Sequence, residues 1–262
     1  MVGQDSGPSS GRNTTADRAI DVLLLFDDRA PVLSAAEVAE RLAMSRSTTY
    51  RYLQSLRSYG LLEEDEARGG FRLGSRVYEL ARIARKGLGL SEIALPIMEA
   101  LRDEVGEAVL LTRRSGNQVV CIERVEGLRP TRLSYERGQL LPVHAGASAK
   151  VLLAFAEPME IDAVLATAVL ERFTDATVTD ATKLREQLDD IRARGYSVSD
   201  GEIDAGVRGV AAPILAPDGR VVAGLSVAGL AFRITDSAMN KISGAVMDAA
   251  DQISKRLADI SG

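Results

Sequence analysis

The sequence is poor in several residues on which particular chemistries depend. It has one cysteine, one histidine and no tryptophan in 262 residues, and aromatic residues make up 4 % of the chain. A single cysteine cannot form an internal disulfide, and Cys121 with His144 is too small a set for the common zinc sites. So few rings also argue against a ligand cage of stacked aromatic side chains. We therefore expect neither a metal nor a cofactor.

Long apolar runs and a signal peptide are also missing from the sequence. The run Val22–Phe26 falls far short of the roughly 18 apolar residues that a membrane span needs, and Met1–Asn13 is polar, with no apolar h-region. Together with the single cysteine, these features predict a cytoplasmic protein without a membrane partner. A content of 46 % hydrophobic and 26 % charged residues is typical of a globular chain, and the length favours two domains.

The net charge of −5 argues by itself against a nucleic-acid partner, but the charge is unevenly distributed. Residues 1–86 hold 13 Lys and Arg against 12 Asp and Glu, whereas the rest of the chain holds 19 against 25. The segment from Arg41 to Leu62 contains four arginines and no acidic residue. A local cationic segment is what contact with phosphates requires. Arginines that merely extend into solvent from a surface helix would give the same pattern.

Residues 16–74 carry the pattern of a winged helix-turn-helix. Ser34–Glu37 is a capping box that opens a short helix. Ser45 is placed to cap a third helix that ends near Tyr59, where Gly60 suits a left-handed stop. On a helical wheel, one side of this third helix is apolar, and the other presents hydroxyl, amide and guanidinium groups that bind base edges and phosphates.

A hairpin, the wing, follows the third helix. Leu61–Glu64 and Phe71–Leu73 can pair around a loop that contains Gly69 and Gly70. An ordinary surface helix followed by a hairpin is the alternative to DNA binding. The residues that we predict to contact DNA are Ser45, Arg46, Ser47, Thr48, Tyr50, Arg51, Gln54, Arg68 and Arg72.

The remaining segments divide into a tail, a linker and a second domain. Residues 1–15 are rich in Gly, Ser, Thr and Asn, which predicts a disordered tail. Residues 75–90 predict a linker helix whose apolar stripe packs either on a second copy or on its own domain. Strand pairs interleaved with helices over 91–262 predict an α+β domain with an antiparallel sheet. One of its strands is expected near 131–135, and an acidic loop is expected around Ser199–Glu202.

The start of one helix in the second domain suits an anion. Gly146–Ser148 precede an apolar helix, so free N–H groups and the positive helix end meet there, which favours a carboxylate. Ordinary capping of a core helix explains the same residues equally well. We expect His144 to be a packed structural histidine and Cys121 a small buried hydrophobe. Lys150 is expected only to cap the helix or to form a salt bridge.

The sequence offers little to an enzyme. It has no G-x-S-x-G, no P-loop and no G-x-G-x-x-G, and a single His and Cys cannot supply a nucleophile with its base and orienting group. Asp200 and Glu202 could serve as paired acids, although a solvated loop explains them as well. A DNA-binding regulator without enzymatic activity is therefore the leading hypothesis. A second domain used only for assembly is the other alternative.

Several motifs occur in an order that resembles the IclR-type family of bacterial transcriptional regulators from about Thr15 to the end. They are Gly70–Gly74, His144–Lys150, Ser199–Glu202, Gly206-Val207 and Ala212–Ile214. The resemblance implies an N-terminal winged helix-turn-helix, a linker helix and a GAF-like effector-binding domain. It also implies homodimers that often pair into tetramers on operator DNA. Family members commonly control catabolic operons, frequently for aromatic or other small organic acids.

The resemblance also implies positions for the effector site. The amides of Ala147 and Ser148 would face the effector carboxylate, between apolar walls and an acidic loop. Gly209 and Ala228 stand where members that bind very small acids carry larger or polar groups, so this site is expected either to admit a ring or simply to differ. The implied effector-binding residues are Leu133, Leu141, Ala147, Ser148, Ser199, Asp200, Val207, Gly209, Ser226 and Ala228.

Overall fold

The computed structural model describes residues 14–86, 89–129 and 133–261, and the chain forms two compact units that divide between residues 87 and 88. Most of the tail predicted over 1–15 lies outside the described residues. Thr14 and Thr15 belong to the first helix, whose first turn also holds Asp17, an acidic residue that favours a helix N-terminus. No helix in these ranges is long and apolar enough to cross a membrane. The finer boundaries at residues 74 and 90 stay predictions.

The first unit is a winged helix-turn-helix, which confirms the predicted fold. Its core joins the apolar faces of the first three helices to the hairpin, and Val22, Leu53 and Phe71 are buried within it. Leu33 and Phe71 exchange two backbone hydrogen bonds, which fix the hairpin to the segment before the second helix. The elements are α1 (Thr14–Leu23), α2 (Ala35–Arg41), α3 (Arg46–Ser58), β1 (Leu62–Asp65), β2 (Gly70–Leu73) and α4 (Ser75–Lys86).

Local capping sets the ends of α2 and α3. The predicted capping box is confirmed, because Ser34 Oγ accepts from the Glu37 amide at 3.2 Å and a Glu37 carboxylate oxygen accepts from the Ser34 amide at 2.8 Å. In the turn between the two helices, Ala43 has a φ of +50°, a left-handed conformation that is uncommon outside glycine. Gly60 ends the segment after α3 with a φ of +70°.

The second unit is an antiparallel sheet covered by helices on both faces. Its six strands lie in the order β5-β4-β3-β8-β7-β6, and all neighbours pair antiparallel. The strands are β3 (Ala108–Ser115), β4 (Gln118–Val125), β5 (Leu140–Pro142), β6 (Ser197–Asp200), β7 (Val207–Leu215) and β8 (Val221–Leu230). The helices are α5 (Leu90–Val105), α6 (Ala147–Ala154), α7 (Pro158–Thr167), α8 (Ala181–Arg194) and α9 (Asp236–Ser261).

Two apolar cores lie on opposite faces of this sheet. Helices α5 and α9 pack on one face, against residues such as Leu111, Ile214 and Leu225. Helices α6, α7 and α8 cover the other face, where Leu152 and Leu188 are buried. The sheet is therefore the middle layer of an α+β domain, as predicted.

The prediction of a strand near 131–135 is wrong for the part that the structure describes. Ser134 directs its amide and hydroxyl to the Asp204 carboxylate at 2.9 and 2.6 Å, and the carbonyl of Tyr135 accepts from Arg124. Side chains, rather than a neighbouring strand, thus bind this backbone. The predicted acidic loop also needs correction, since Ser199 and Asp200 lie in strand β6.

Candidate functional site

Helix α3 presents the predicted polar side to solvent. Thr49, Tyr52, Leu53 and Leu56 are buried against the rest of the first unit. The opposite side is exposed, except for the half-buried Thr48, and carries Ser45, Arg46, Ser47, Tyr50, Arg51 and Gln54. The Ser45 hydroxyl caps the helix, since it accepts from the Thr48 amide at 3.2 Å. An exposed polar side of this length has the dimensions and chemistry of a recognition helix.

The charges on this side of α3 are not neutralised by neighbours. Within the described residues, Arg46 and Arg51 form no ion pair, and the guanidinium of Arg51 lies over the Tyr52 ring at 5.8 Å. Arg57, in the last turn of the same helix, instead pairs with Glu64 at 2.7 Å. The free positive charge of α3 is therefore concentrated in its first half.

The wing distinguishes the two arginines predicted to contact phosphates. Arg72 pairs with Glu63 at 2.7 Å and approaches Asp65 at 3.8 Å. Arg68 is exposed at the tip, and its side chain has no ion pair among the described residues. Both arginines stay predicted DNA contacts. Because Glu63 and Asp65 compensate the charge of Arg72, we expect Arg72 to bind phosphate more weakly than Arg68.

A small cavity lies in the second unit between the sheet and the start of α6. Two rows of paired residues form its floor. One row runs from Ser199 through Gly209 to Ala228, and the next pairs Ser226 with Leu110. Ser148 Oγ donates to Ser226 Oγ at 2.7 Å, which ties the helix to the sheet.

The first turn of α6 points its free amides at this cavity. Gly146 is the N-cap, with a φ of +84° that glycine adopts without strain. The amides of Ala147 and Ser148 have no hydrogen-bond acceptor within the described chain. Helix N-termini with free amides stabilise anions. The geometry therefore suits a carboxylate at this point.

The amide of Gly146 itself is occupied by a buried ion pair. It donates to one carboxylate oxygen of Glu202 at 2.9 Å, and Lys150 forms an ion pair with the other oxygen. The Lys150 ammonium also donates to Gln187 at 3.3 Å. Both charged side chains are almost fully buried. Lys150 thus forms the predicted salt bridge. Through Glu202, which accepts from the Gly146 amide, it fixes the N-cap residue of α6.

Most of the predicted effector residues surround the cavity, and two do not. Leu133 is buried behind the wall, in a cluster with Cys121 and Val207. Asp200 follows Ser199 on the strand, so its side chain faces the opposite side and pairs with Arg208 at 2.7 Å. Those that line the cavity are Leu141, Ala147, Ser148, Ser199, Val207, Gly209, Ser226 and Ala228.

Sequence reasoning missed six further wall residues. The sequence offered no signal for them, since Leu110 reaches the cavity through its register with Ser226, which only the folded sheet sets. The residues missed are Leu110, Tyr135, Ala145, Gly146, Ala149 and Val227. No charged side chain is among the residues that line the cavity.

The cavity is too small for an organic acid in this structure. Its volume is about 20 Å³, which is room for about one water molecule. Tyr135 and Ile203 cover Gly146, because a Cβ on this glycine would lie 3.5 Å from the Tyr135 hydroxyl and 3.1 Å from the end of Ile203. A site that admits a ring, one of the two expectations from Gly209 and Ala228, is not open in this conformation.

Neither His144 nor Cys121 offers reactive chemistry. The imidazole Nε2 of His144 lies 2.9 Å from the Glu171 carbonyl, and its ring packs on Phe173. Burial raises the pKa of Cys121 to about 12, so its thiol stays protonated and packs as a small apolar group. Both side chains are therefore structural, as predicted.

The part of the chain that the structure describes shows neither a metal site nor a pair of catalytic acids. Among the described residues, no group of three or more His, Cys, Asp or Glu side chains is arranged to hold a metal ion. Asp200 is exposed beside Arg208, whereas Glu202 is buried beside Lys150. The two carboxylates thus occupy separate environments, and the interpretation of them as paired acids is not supported.

The sequence and structure are similar to those of known regulators. A family model described as the bacterial transcriptional regulator IclR C-terminal matches residues 84–255, and the IclR helix-turn-helix domain matches 15–66. The chain is 33 % identical to the HTH-type transcriptional regulator KipR of Bacillus subtilis, over 94 % of this chain and 98 % of that one. It is 35 % identical to the HTH-type transcriptional regulator BhcR of Paracoccus denitrificans, over 94 % and 88 %.

A crystal structure gives a similar result. An IclR homologue of Microbacterium hydrocarbonoxydans, solved in complex with 4-hydroxybenzoate, superimposes with a TM-score of 0.80. The two sequences are 31 % identical, and the match covers 92 % of this chain and 98 % of the homologue.

Proposed function

Because this chain belongs to the IclR family of bacterial transcriptional regulators, we propose that it binds operator DNA through α3 and a small organic acid through the cavity beside α6. The observation that carries the proposal is the exposed side of α3, where Arg46 and Arg51 have no acidic partner among the described residues. Unpaired guanidinium groups on a helix that is held by its apolar side are suited to phosphates and to guanine edges.

The assembly that we propose is a homodimer, with pairs of dimers forming tetramers. A two-fold operator requires two copies of the recognition helix at a fixed spacing. Helix α4 supports a dimer, because Tyr78, Leu80 and Ile83 are exposed on it. A second copy packed on the side that carries Leu80 and Ile83 would remove those apolar side chains from water. Double-stranded DNA and a second copy are thus the macromolecular partners, and the place of action is the cytoplasm.

The effector in this proposal is a monocarboxylic acid. Free amides of α6 favour its carboxylate, and the walls of the cavity are apolar or hydroxyl-bearing. The homologue solved with 4-hydroxybenzoate supports an aromatic acid, and with it a role in controlling a catabolic operon. The acid would act by binding two arrangements of the dimer with different affinities.

Enzymatic activity is the weaker alternative. The relatives are named as transcriptional regulators and repressors. Within the described second unit, the buried carboxylate of Glu202 is neutralised by Lys150, and the one histidine is packed on Phe173. A cavity lined by hydroxyl groups, with no acidic or basic side chain among the residues that line it, is suited to binding.

Replacing Arg51 by alanine tests the DNA-binding half. We expect the affinity for duplexes, selected from a random pool by the wild-type chain, to fall by about tenfold or more, because one contact to a base or phosphate is lost. Fluorescence anisotropy at several salt concentrations measures the change. Arg57→Ala is the matched control from the same helix, since its charge is already paired with Glu64. Equal affinities for the Arg51→Ala variant and the wild type would exclude this side of α3 from the interface.

A thermal-shift series tests the effector half. Acetate, benzoate and 4-hydroxybenzoate are added separately to the wild-type chain, with benzamide as the uncharged control. A ligand at about 100 times its Kd stabilises the folded state by about 2.7 kcal/mol, so we expect at least one acid, and not the amide, to raise the melting temperature. No response to any acid, together with intact DNA binding, would favour the alternative in which the second unit serves only for assembly.

A further inference from the structure

Tyr135 is one of the cavity residues whose positions the family resemblance did not supply. It lies on the segment between β4 and β5, over the start of α6. Neighbouring groups fix its backbone on both sides, since Ser134 binds the Asp204 carboxylate and Arg124 donates to the Tyr135 carbonyl. Its ring packs on the apolar clusters beside the cavity. The side chain is thus held in one place rather than projecting freely.

The hydroxyl of Tyr135 has no hydrogen-bond partner within the described residues, although the side chain lines the cavity. The hydroxyl lies 3.5 Å from the point that a Cβ on Gly146 would occupy. It is therefore beside the residue that precedes Ala147 and Ser148, whose amides are free. Burial raises the pKa of Tyr135, and the carboxylates of Asp204 and Glu202 raise it further. The phenol therefore remains a neutral hydrogen-bond donor at physiological pH.

A second hydroxyl in the same cavity points independently to a polar ligand. Ser199 is 7 % exposed, and its hydroxyl has no hydrogen-bond partner among the described residues. Because this hydroxyl lines the cavity and binds no described protein group there, it is suited to a polar group that enters the cavity. Ser226 differs, because it already accepts from Ser148.

We infer that Tyr135 determines specificity in the proposed effector site, where its hydroxyl donates to the effector carboxylate beside the amides of Ala147 and Ser148. A carboxylate offers about four lone-pair sites, which is enough for these three donors. Ser199 is left to bind a neutral polar group elsewhere on the acid. Since no charged side chain lines the cavity, a second carboxylate or an ammonium group would be buried there without a partner. The site should thus select monocarboxylates over dicarboxylates and amino acids.

Tyr135→Phe tests this inference, which rests on the proposed acid-binding function. Phenylalanine keeps the ring that lines the cavity and removes only the hydroxyl. We expect the Kd for benzoate or 4-hydroxybenzoate, measured by calorimetry, to rise by about tenfold or more, the effect of one hydrogen bond to a charged group. The melting temperature without acid should stay that of the wild type. Tyr196→Phe is the matched control, because Tyr196 does not line the cavity.

Three outcomes are distinguishable. A weaker acid affinity in Tyr135→Phe alone, with no binding of terephthalate or phenylalanine to the wild type, supports the inference. Equal Kd values for the wild type and Tyr135→Phe would overturn the role of Tyr135 and leave the acid-binding function standing. A wild-type chain that binds none of the acids would overturn both.

Discussion

Replacing Lys150 by methionine is expected to lower the free energy of unfolding of the second unit by about 3–5 kcal/mol, the usual cost of leaving a buried charge without its partner. Lys150 and Glu202 are 2 % and 7 % exposed. Methionine fills much of the same volume but leaves the Glu202 carboxylate with only neutral donors such as the Gly146 amide. Urea titration followed by circular dichroism measures the loss.

A matched control and a second variant make this result specific. Lys255→Met removes an ammonium from an exposed pair with Asp251, so it should cost no more than about 0.5 kcal/mol. Adding Glu202→Gln to Lys150→Met removes the unpaired charge and keeps an acceptor for the Gly146 amide. We expect this double variant to recover a large part of the lost stability. A loss below about 1 kcal/mol for Lys150→Met alone would mean that the buried carboxylate does not need its cation.

Replacing Gly209 by leucine is expected to abolish the response to acids while DNA binding remains. A Cβ at this position would contact the Ala147 Cβ at 3.4 Å, so a longer side chain extends into a cavity of only about 20 Å³. The acid-dependent thermal shift should disappear, because the carboxylate loses its space beside the amides of α6. Overpacking typically costs about 1–3 kcal/mol, which the second unit should tolerate.

Gly209→Ala provides the graded control for the leucine variant. Its single methyl group fits at ordinary van der Waals distance, so this variant should bind acid more weakly than the wild type and not lose the response. Affinity for the selected duplex measures whether the first unit is intact in both variants. If Gly209→Leu still responds to the acid with the wild-type Kd, the effector site lies elsewhere.

The fold was predictable where local chemistry and apolar periodicity agree. The capping box at Ser34, the cap at Ser45 and the apolar stripe of α3 each act within a few residues, so the sequence contains all of the information. The position of the left-handed turn between α2 and α3 could be inferred only from the number of residues between the two helices. Its left-handed residue is Ala43, and no glycine marks it.

The short edge strands were not predictable, for a different reason. β5 has three residues and ends on Pro142, and β6 has four residues with one large apolar side chain, Val198. Both lie at the edges of the sheet, where proline is tolerated and burial is partial. Leu133 and Tyr135 are spaced as alternate residues of a strand are. However, the Ser134 amide binds Asp204 and the Tyr135 carbonyl binds Arg124, so these backbone groups do not pair with a strand.

The same contrast applies to the candidate site. Residues near each other in sequence, such as Ala147 and Ser148, follow from the helix start. The carboxylate of Glu202 binds the Gly146 amide, which is 56 residues away in the sequence. The side chain of Asp200 points away from the cavity, because side chains alternate along a strand and that of Ser199 points towards the cavity. Such placements depend on tertiary contacts. The sequence alone offers Glu202 as one acid among several in its segment.

The small volume of the cavity affects the rate at which an acid binds rather than the affinity. A pocket that holds about one water molecule cannot admit an acid until its walls move apart. The encounter of an acid with the protein is therefore not the slow step, and the rate of capture should level off as the acid concentration rises, at the frequency with which the entrance opens. The rate at which the protein responds to a change in acid concentration is then set by the rate at which its cavity opens.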